Sequence, residues 1–313
     1  MTLLLGSLTM GIIFAFLAIG VYITFRIFNF TDITADGSFA SGAAVTAILI
    51  VSGYDPVIAT LCAVAAGMAA GFVTGIIHTK FKINGLLSGI LVMTALYSVN
   101  LYIMGKSTIP FLSSKSIIHS ADNFTAKFFN ASERITFLGR EAYTSDIGTL
   151  LMVLALILLF TILIYLFFKT NLGMAMRATG DNPQMVSSLG ADTAHMITAG
   201  ITLSNGLIAL SGSLMAQYMG FADIQMGIGM IVMGLACVII GEVLVGKTGM
   251  GLTLIGIIMG SILFRLLLAL ALRSGLNPNN LRMVTALFVF LAIIIPAAIV
   301  KLKNKSRTLQ EAD

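Results

Sequence analysis

Charge is what this chain has least of. Only 10% of its 313 residues are Asp, Glu, Lys or Arg, against roughly 25% in a soluble globular domain. That shortage excludes a soluble enzyme and a nucleic-acid binder. Tryptophan is absent and proline occurs five times. The two cysteines, Cys62 and Cys237, both sit in apolar runs and give no disulfide framework. The three histidines, His78, His119 and His195, are scattered, so no metal site is expected. No linker or low-complexity tract separates a second domain. What is present in excess is apolar: 58% hydrophobic residues, with mean hydropathy +1.02. Such a chain belongs in lipid. No basic stretch precedes the first apolar run, which is read as a span rather than a leader.

A membrane-spanning helix needs about 20 apolar residues. Runs of that kind lie near 3–25, 38–52, 56–78, 85–105, 147–168, 196–218, 226–245, 251–272 and 283–300. The expectation is an all-α polytopic membrane protein in one transmembrane domain, 1–313, with about nine spans, eight to ten as bounds. The net charge of +5 then marks the cytoplasmic loops. Lys301, Lys303, Lys305 and Arg307 place the tail, 301–313, in the cytoplasm. Counting back puts 169–195 inside, 106–146 outside and the N-terminus outside, in a bacterial inner (plasma) membrane.

Two polar breaks interrupt the apolar pattern. Asp32 and Asp36 precede a Gly- and Ser-rich start to the second span, and Asp223 precedes Gly227 and Gly229 at the seventh. These are read as broken helices. Spans one to four and six to nine are offset by five. An odd offset inverts topology, so the chain reads as two inverted repeats, a common transporter plan. Charge within a bilayer is costly and marks either a substrate path or a clamp between helices. Asp32, Asp36, Ser38, Asn205, Asp223 and Arg265 are therefore the candidate translocation-path residues. Asp223 and Arg265 are close enough to their outer membrane edge to pair, and Asp36 is placed to cap the second span. Glu242 is read as snorkelling to water. Asn100 and Ser204 are read as bonds between helices.

The segment 176–190 is different in kind. Asp181 or Asn182 can cap a helix, Pro183 suits its first position and Gly190 its end. A helix of about two turns results, with Met185, Val186 and Leu189 as an apolar stripe. It is either a linker resting on lipid or a peg for a cytoplasmic partner.

The stretch Arg177–Asp192, RATGDNPQMVSSLGAD, resembles the coupling loop of bacterial ABC importer permeases of the branched-chain amino acid and ribose type. FNFTDITADGSFASGAAV, KINGLLSGILVMTALYSVNLYIMG and the run from Val238 to Leu287 resemble the same family, over about residues 6–300. The likeness is strongest to a subgroup paired with lipoprotein binding proteins of the tryptophan-uptake type. The N-terminus is shorter than in ribose-type members, and no tenth full span is seen. The resemblance implies a permease dimer, two ABC ATPase subunits docked beneath it and an extracytoplasmic substrate-binding lipoprotein above. Arg177, Gly180, Asp181, Asn182, Pro183, Ser187 and Gly190 would form the ATPase-coupling loop. ATP and Mg would bind the partner ATPase; no cofactor, metal or catalytic residue is expected in this chain. The substrate implied is a small solute, most readily an aromatic or branched-chain amino acid, with a sugar or nucleoside as rival. An ion-coupled secondary transporter is the alternative class.

One motif argues otherwise. Gly241 to Thr248, GEVLVGKT, fits the phosphate-loop pattern G-x-x-x-x-G-K-[ST]. That pattern works between a strand and a helix of a soluble α/β domain. Here it ends an apolar span, so Lys247 is read as a positive-inside charge.

Overall fold

In the computed structural model of the chain, the residues described are 2–112, 116, 134–137, 140–246, 249–275, 280, 283–291 and 294. In chain order they form α1 (Thr2–Tyr22) with a π-helical turn Ile23–Ile27, α2 (Thr34–Val51), α3 (Pro56–Lys80), α4 (Gly85–Met104) and β1 (Thr108–Pro110). There follow β2 (Arg134–Phe137), β3 (Arg140–Tyr143), α5 (Thr144–Lys169), α6 (Asn171–Asp181), α7 (Pro183–Ser188) and α8 (Thr193–Met219). The chain then runs through β4 (Phe221–Asp223), a 3₁₀ turn Ile224–Gly227, α9 (Met230–Val245) and α10 (Met250–Arg273). Among the described residues eight helices are long and apolar enough to cross a membrane. The ninth run anticipated at 283–300, Lys247 and the tail 301–313 lie wholly or mostly outside the described residues.

The helix boundaries follow local chemistry. Asp55, Asn84 and Asp192 each cap the helix that follows by accepting from a backbone N–H two residues on. Gly105 and Gly220 close α4 and α8 in the left-handed conformation. α1 is apolar all round and lies in the core, where Ile13, Phe16, Leu17 and Ile19 are inaccessible.

Side-chain bonds fix the directions of α1, α2 and α3 relative to α8. Ser204 and Ser211 of α8 donate to the carbonyls of Gly20 and Ile13 of α1, at 2.7 and 2.8 Å. Rising numbers meet falling ones, so α1 and α8 are antiparallel. Ser38 bonds Asn205, and Thr46 bonds Ser213. Both pairs are 167 residues apart, so α2 and α8 are parallel. Thr60 with Gln217 and Thr79 with Thr198 make α3 antiparallel to α8. Alternate crossing of one layer gives these directions.

Packing also follows the inverted-repeat reading. α1 lies against α9 and α10, while α8 lies against α2 and α3, so each repeat's first helix packs on the other repeat. Small residues allow the close approach. Gly67, Gly71 and Gly75 of α3 face α8 so tightly that a Cβ on any of them would strike Ala209, Asn205, Ile201 or Thr198. Gly241 and Gly256 do the same between α9 and α10. Phe28–Ile33 separates α1 from α2, and Gly220–Gly229 separates α8 from α9. The second break reaches into the bundle: it interrupts the candidate span Ile224–Val245, and its Gly229 meets Asp36 in the first turn of α2. α2 itself is continuous, as is α9 from Met230.

Candidate functional site

Three features carry chemistry: a capped loop on one face, a polar seam through the core, and a short ribbon on the opposite face.

The loop is α6–α7. α6 is held by Gly173, Met176 and Thr179, one buried stripe at helical spacing. Gly180 packs on the π-helical turn, where a Cβ would collide with the Ile27 carbonyl. Its own carbonyl accepts from Asn29 Nδ2 at 3.3 Å. α6 then ends at Asp181, and Asn182 caps α7, its Oδ1 accepting from Met185 N at 3.0 Å. Of the two candidate caps, Asn182 is therefore used and Asp181 stays exposed. Pro183 fills the first turn. At the far end Gly190 N donates to the Ser187 carbonyl and Ala191 N to that of Val186. With Gly190 at φ +86° this is a Schellman close. The anticipated apolar stripe divides: Val186 is buried, whereas Met185 and Leu189 are 58% and 75% exposed. Arg177 and Ser187 are exposed beside them. The result is a rigid short helix presenting two large apolar side chains outward.

The seam runs along α2. Thr34, Ser38 and Ser41 recur at helical spacing on it, and all three are buried. Asn205 Nδ2 donates to Asp32 Oδ2 at 2.6 Å, and Ser38 Oγ donates to Asn205 Oδ1 at 2.6 Å. The other Asp32 oxygen accepts from Thr34 N at 3.0 Å. Thr34 and Thr74 share a hydroxyl bond of 2.8 Å, and Ser41 Oγ donates to Asn100 Oδ1 at 2.9 Å. A buried carboxylate is tolerable only with such partners. Asp32, Ser38 and Asn205 are thus brought together. Asp36, one turn along, goes elsewhere. Its Oδ2 and Oδ1 accept from the backbone N–H groups of Gly229 and Ile231, each at 2.8 Å. It caps α9, not the helix it sits on; α2 begins without a side-chain cap.

On the opposite face β1 pairs antiparallel with β4, with Thr108 opposite Asp223. Asp223 accepts from Thr108 Oγ1 at 2.6 Å and from Gln225 N at 2.7 Å. Arg265 does not reach it. Its Nη2 lies 2.6 Å from Met10 Sδ, and its guanidinium is 5.7 Å from the centre of the Phe14 ring. The ribbon and the cap claim Asp223 first: Thr108 is its partner in the sheet, and Gln225 N is in the first turn of the 3₁₀ helix that Asp223 caps. Glu242 also departs from expectation: it grips Arg26 with two bonds of 2.6 Å.

Sequence reading missed Thr34, Thr74, Thr108 and the Gly229–Ile231 amides as partners. The spacing of Thr34, Ser38 and Ser41 on one helical face was the available signal. The amides carry no side-chain signal at all. The phosphate-loop pattern is helical from Gly241 to Val245, and Gly241 is packed against α10. Among the described residues no three His, Cys, Asp or Glu side chains come together.

Residues 3–294 match the family described as branched-chain amino acid transport system, permease component. The tyrosine transport system permease protein of Clostridioides difficile is 40% identical over 286 residues, covering 91% of this chain and 88% of that protein. The Autoinducer 2 import system permease protein LsrC of Salmonella typhimurium is 28% identical over 231 residues, 74% of this chain and 59% of that one. In fold the chain resembles PsaBC from Streptococcus pneumoniae, solved in complex with Fab. The TM-score is 0.50 at 16% identity, covering 92% of this chain and 89% of that one. With a family match across nearly its whole length and a relative at 40% identity, this multi-pass membrane protein belongs to the branched-chain amino acid type of ABC importer permeases.

Proposed function

We propose that the chain is the membrane subunit of an ATP-driven importer for an amino acid, with an aromatic one as the first candidate. The observation that carries the coupling part is the pair Met185 and Leu189. Large apolar side chains more than half exposed on a rigid, doubly capped helix outside the spans suit insertion into a partner's groove. That partner is an ABC ATPase on the cytoplasmic face. Placing the α6–α7 face in the cytoplasm is supported by charge. Arg26, Lys80, Lys82 and Lys169 lie at helix ends or in turns on that face, and Arg177 lies on α6. ATP and Mg belong to the partner: the first part of the phosphate-loop pattern, Gly241–Val245, is the end of an apolar span, with Gly241 packed on α10. A second copy of the permease completes the path, and an extracytoplasmic binding lipoprotein delivers the solute to the ribbon face. The inverted repeats rock against each other between inward-open and outward-open states.

The tyrosine permease relative supports the amino acid reading of the substrate. The LsrC relatives favour a second one, a small non-amino-acid solute. Uptake of labelled tyrosine, phenylalanine, tryptophan and leucine into cells carrying the permease with a partner ATPase and binding lipoprotein decides between them. The amino acid reading requires saturable, ATP-dependent uptake of at least one. Uptake of none, with the complex assembled, removes it.

A further inference from the structure

A groove of about 550 Å³ opens on the face that carries α6–α7, between the last turn of α5, the outer side of α6 and the first turn of α10. Its walls are Tyr165, Phe168, Met250 and Leu252, and its cations are Lys169 and Arg177. Lys169 Nζ lies over the Tyr165 ring at 4.6 Å. Among the described residues neither cation has a carboxylate partner. Of the acids on this side, Glu242 is taken by Arg26. Asp181, one turn from Arg177 on α6, is exposed and does not line the groove. Two cations with no acid in the groove lining call for an anion from outside.

The groove's position says which anion. Lys169 ends one candidate span and Met250 begins another, so the groove lies where the bilayer's hydrocarbon meets its polar layer. Directly along the spans from it, α5 exposes Leu158, Leu159, Ile162, Leu163 and Leu166. On α10 the continuation is Leu252, Ile255, Met259 and Leu263, also exposed. Exposed apolar side chains on both helices therefore continue from the cations toward the bilayer. The occupant that matches all of this has a phosphate at one end and acyl chains at the other. A volume of this size holds a small polar group readily. We propose that this groove binds the headgroup of an anionic phospholipid, with Lys169 and Arg177 on the phosphate and the acyl chains laid along α5 and α10. The lipid would brace the joint between α5 and α6, through which movement of the loop must pass. This depends on the chain spanning a membrane, and not on the ATPase or substrate assignments.

The absence of tryptophan gives a clean test. Ile255→Trp puts a single reporter on the exposed face of α10, one turn beyond the groove. The full chain is placed in phosphatidylcholine nanodiscs, and acyl-brominated phosphatidylglycerol or acyl-brominated phosphatidylcholine is titrated in. Two cations at a membrane surface predict enrichment of the anionic lipid on the order of ten-fold, read as stronger quenching at equal mole fraction. Lys169→Gln with Arg177→Gln should erase the preference, and Lys169→Arg with Arg177→Lys should keep it. An unchanged elution volume and melting midpoint for both pairs confirm the fold. Excess inorganic phosphate should not remove the preference, since it lacks the chains. Equal quenching by the two lipids overturns the proposal, as does a preference that survives the glutamine pair. Loss of the preference to inorganic phosphate would make this a free-anion site instead.

Discussion

Asp36, on α2 of the first repeat, caps α9 of the second through Gly229. The Gly229 N–H donates to Asp36 Oδ2 at 2.8 Å, and the Ile231 N–H donates to Oδ1 at the same distance. A helix that starts inside a membrane has orphan amides and no water to satisfy them. A carboxylate supplied by the other repeat solves this and favours the positive end of the helix dipole. It also ties the two halves together at a point where rocking must either keep or break the bond.

Asp36→Ala should therefore destabilise the chain by about 0.5–2 kcal/mol, the range for loss of an N-cap. Asp36→Asn should recover part of that, because one amide oxygen still accepts. A thermal melt in detergent checks both. If Asp36→Ala melts with the parent chain, the cap has no structural weight.

Asn205 joins Asp32 to Ser38. Asn205→Ala leaves a buried carboxylate and a buried hydroxyl short of a partner. The cost should be about 1–3 kcal/mol. Asn205→Asp retains an acceptor for Ser38 but sets two buried carboxylates together. It should be no milder than alanine while both are charged, and its melt should recover as protonation of the pair relieves the repulsion. Equal melts for the alanine variant and the parent would mean the seam is dispensable.

Arg26 and Glu242 join the end of α1 to the end of α9. The pair is bidentate, but the side chains are 53% and 22% exposed. Their coupling in a double-mutant cycle should accordingly be small, about 0.2–1 kcal/mol, and should shrink with added salt. A salt-independent coupling well above that range would show the pair to be dry in the membrane.

Much of this was legible beforehand. Apolar run lengths gave eight of the described spans, because a bilayer sets a fixed length. Pro183 and Gly190 marked the ends of α7, because both act through their own backbone. The odd offset between halves predicted that α1 and α8 run in opposite directions, as they do. What stayed hidden depended on partners distant in sequence. Asp36 looked like a local cap, since Asp-Gly-Ser is a sound helix start, but α9's amides compete for it from 193 residues away. Asp223 and Arg265 looked like a pair because both are charged in an apolar stretch. Thr108, brought in by β1, binds the acid instead, and the arginine settles on Met10 and Phe14. The stripe on α7 was read as one face. Only packing separates Val186, which anchors, from Met185 and Leu189, which are presented.

Those two side chains give the most direct test of the coupling account. The chain carrying Met185→Asp with Leu189→Asp is purified from its native cells, alongside the parent chain. The account predicts that the parent brings down the ATPase at about one subunit per permease, and that the variant, equally abundant and equally stable, brings down little or none. An ATPase that stays with the variant at the parent's level, or a parent that always emerges alone, would contradict it.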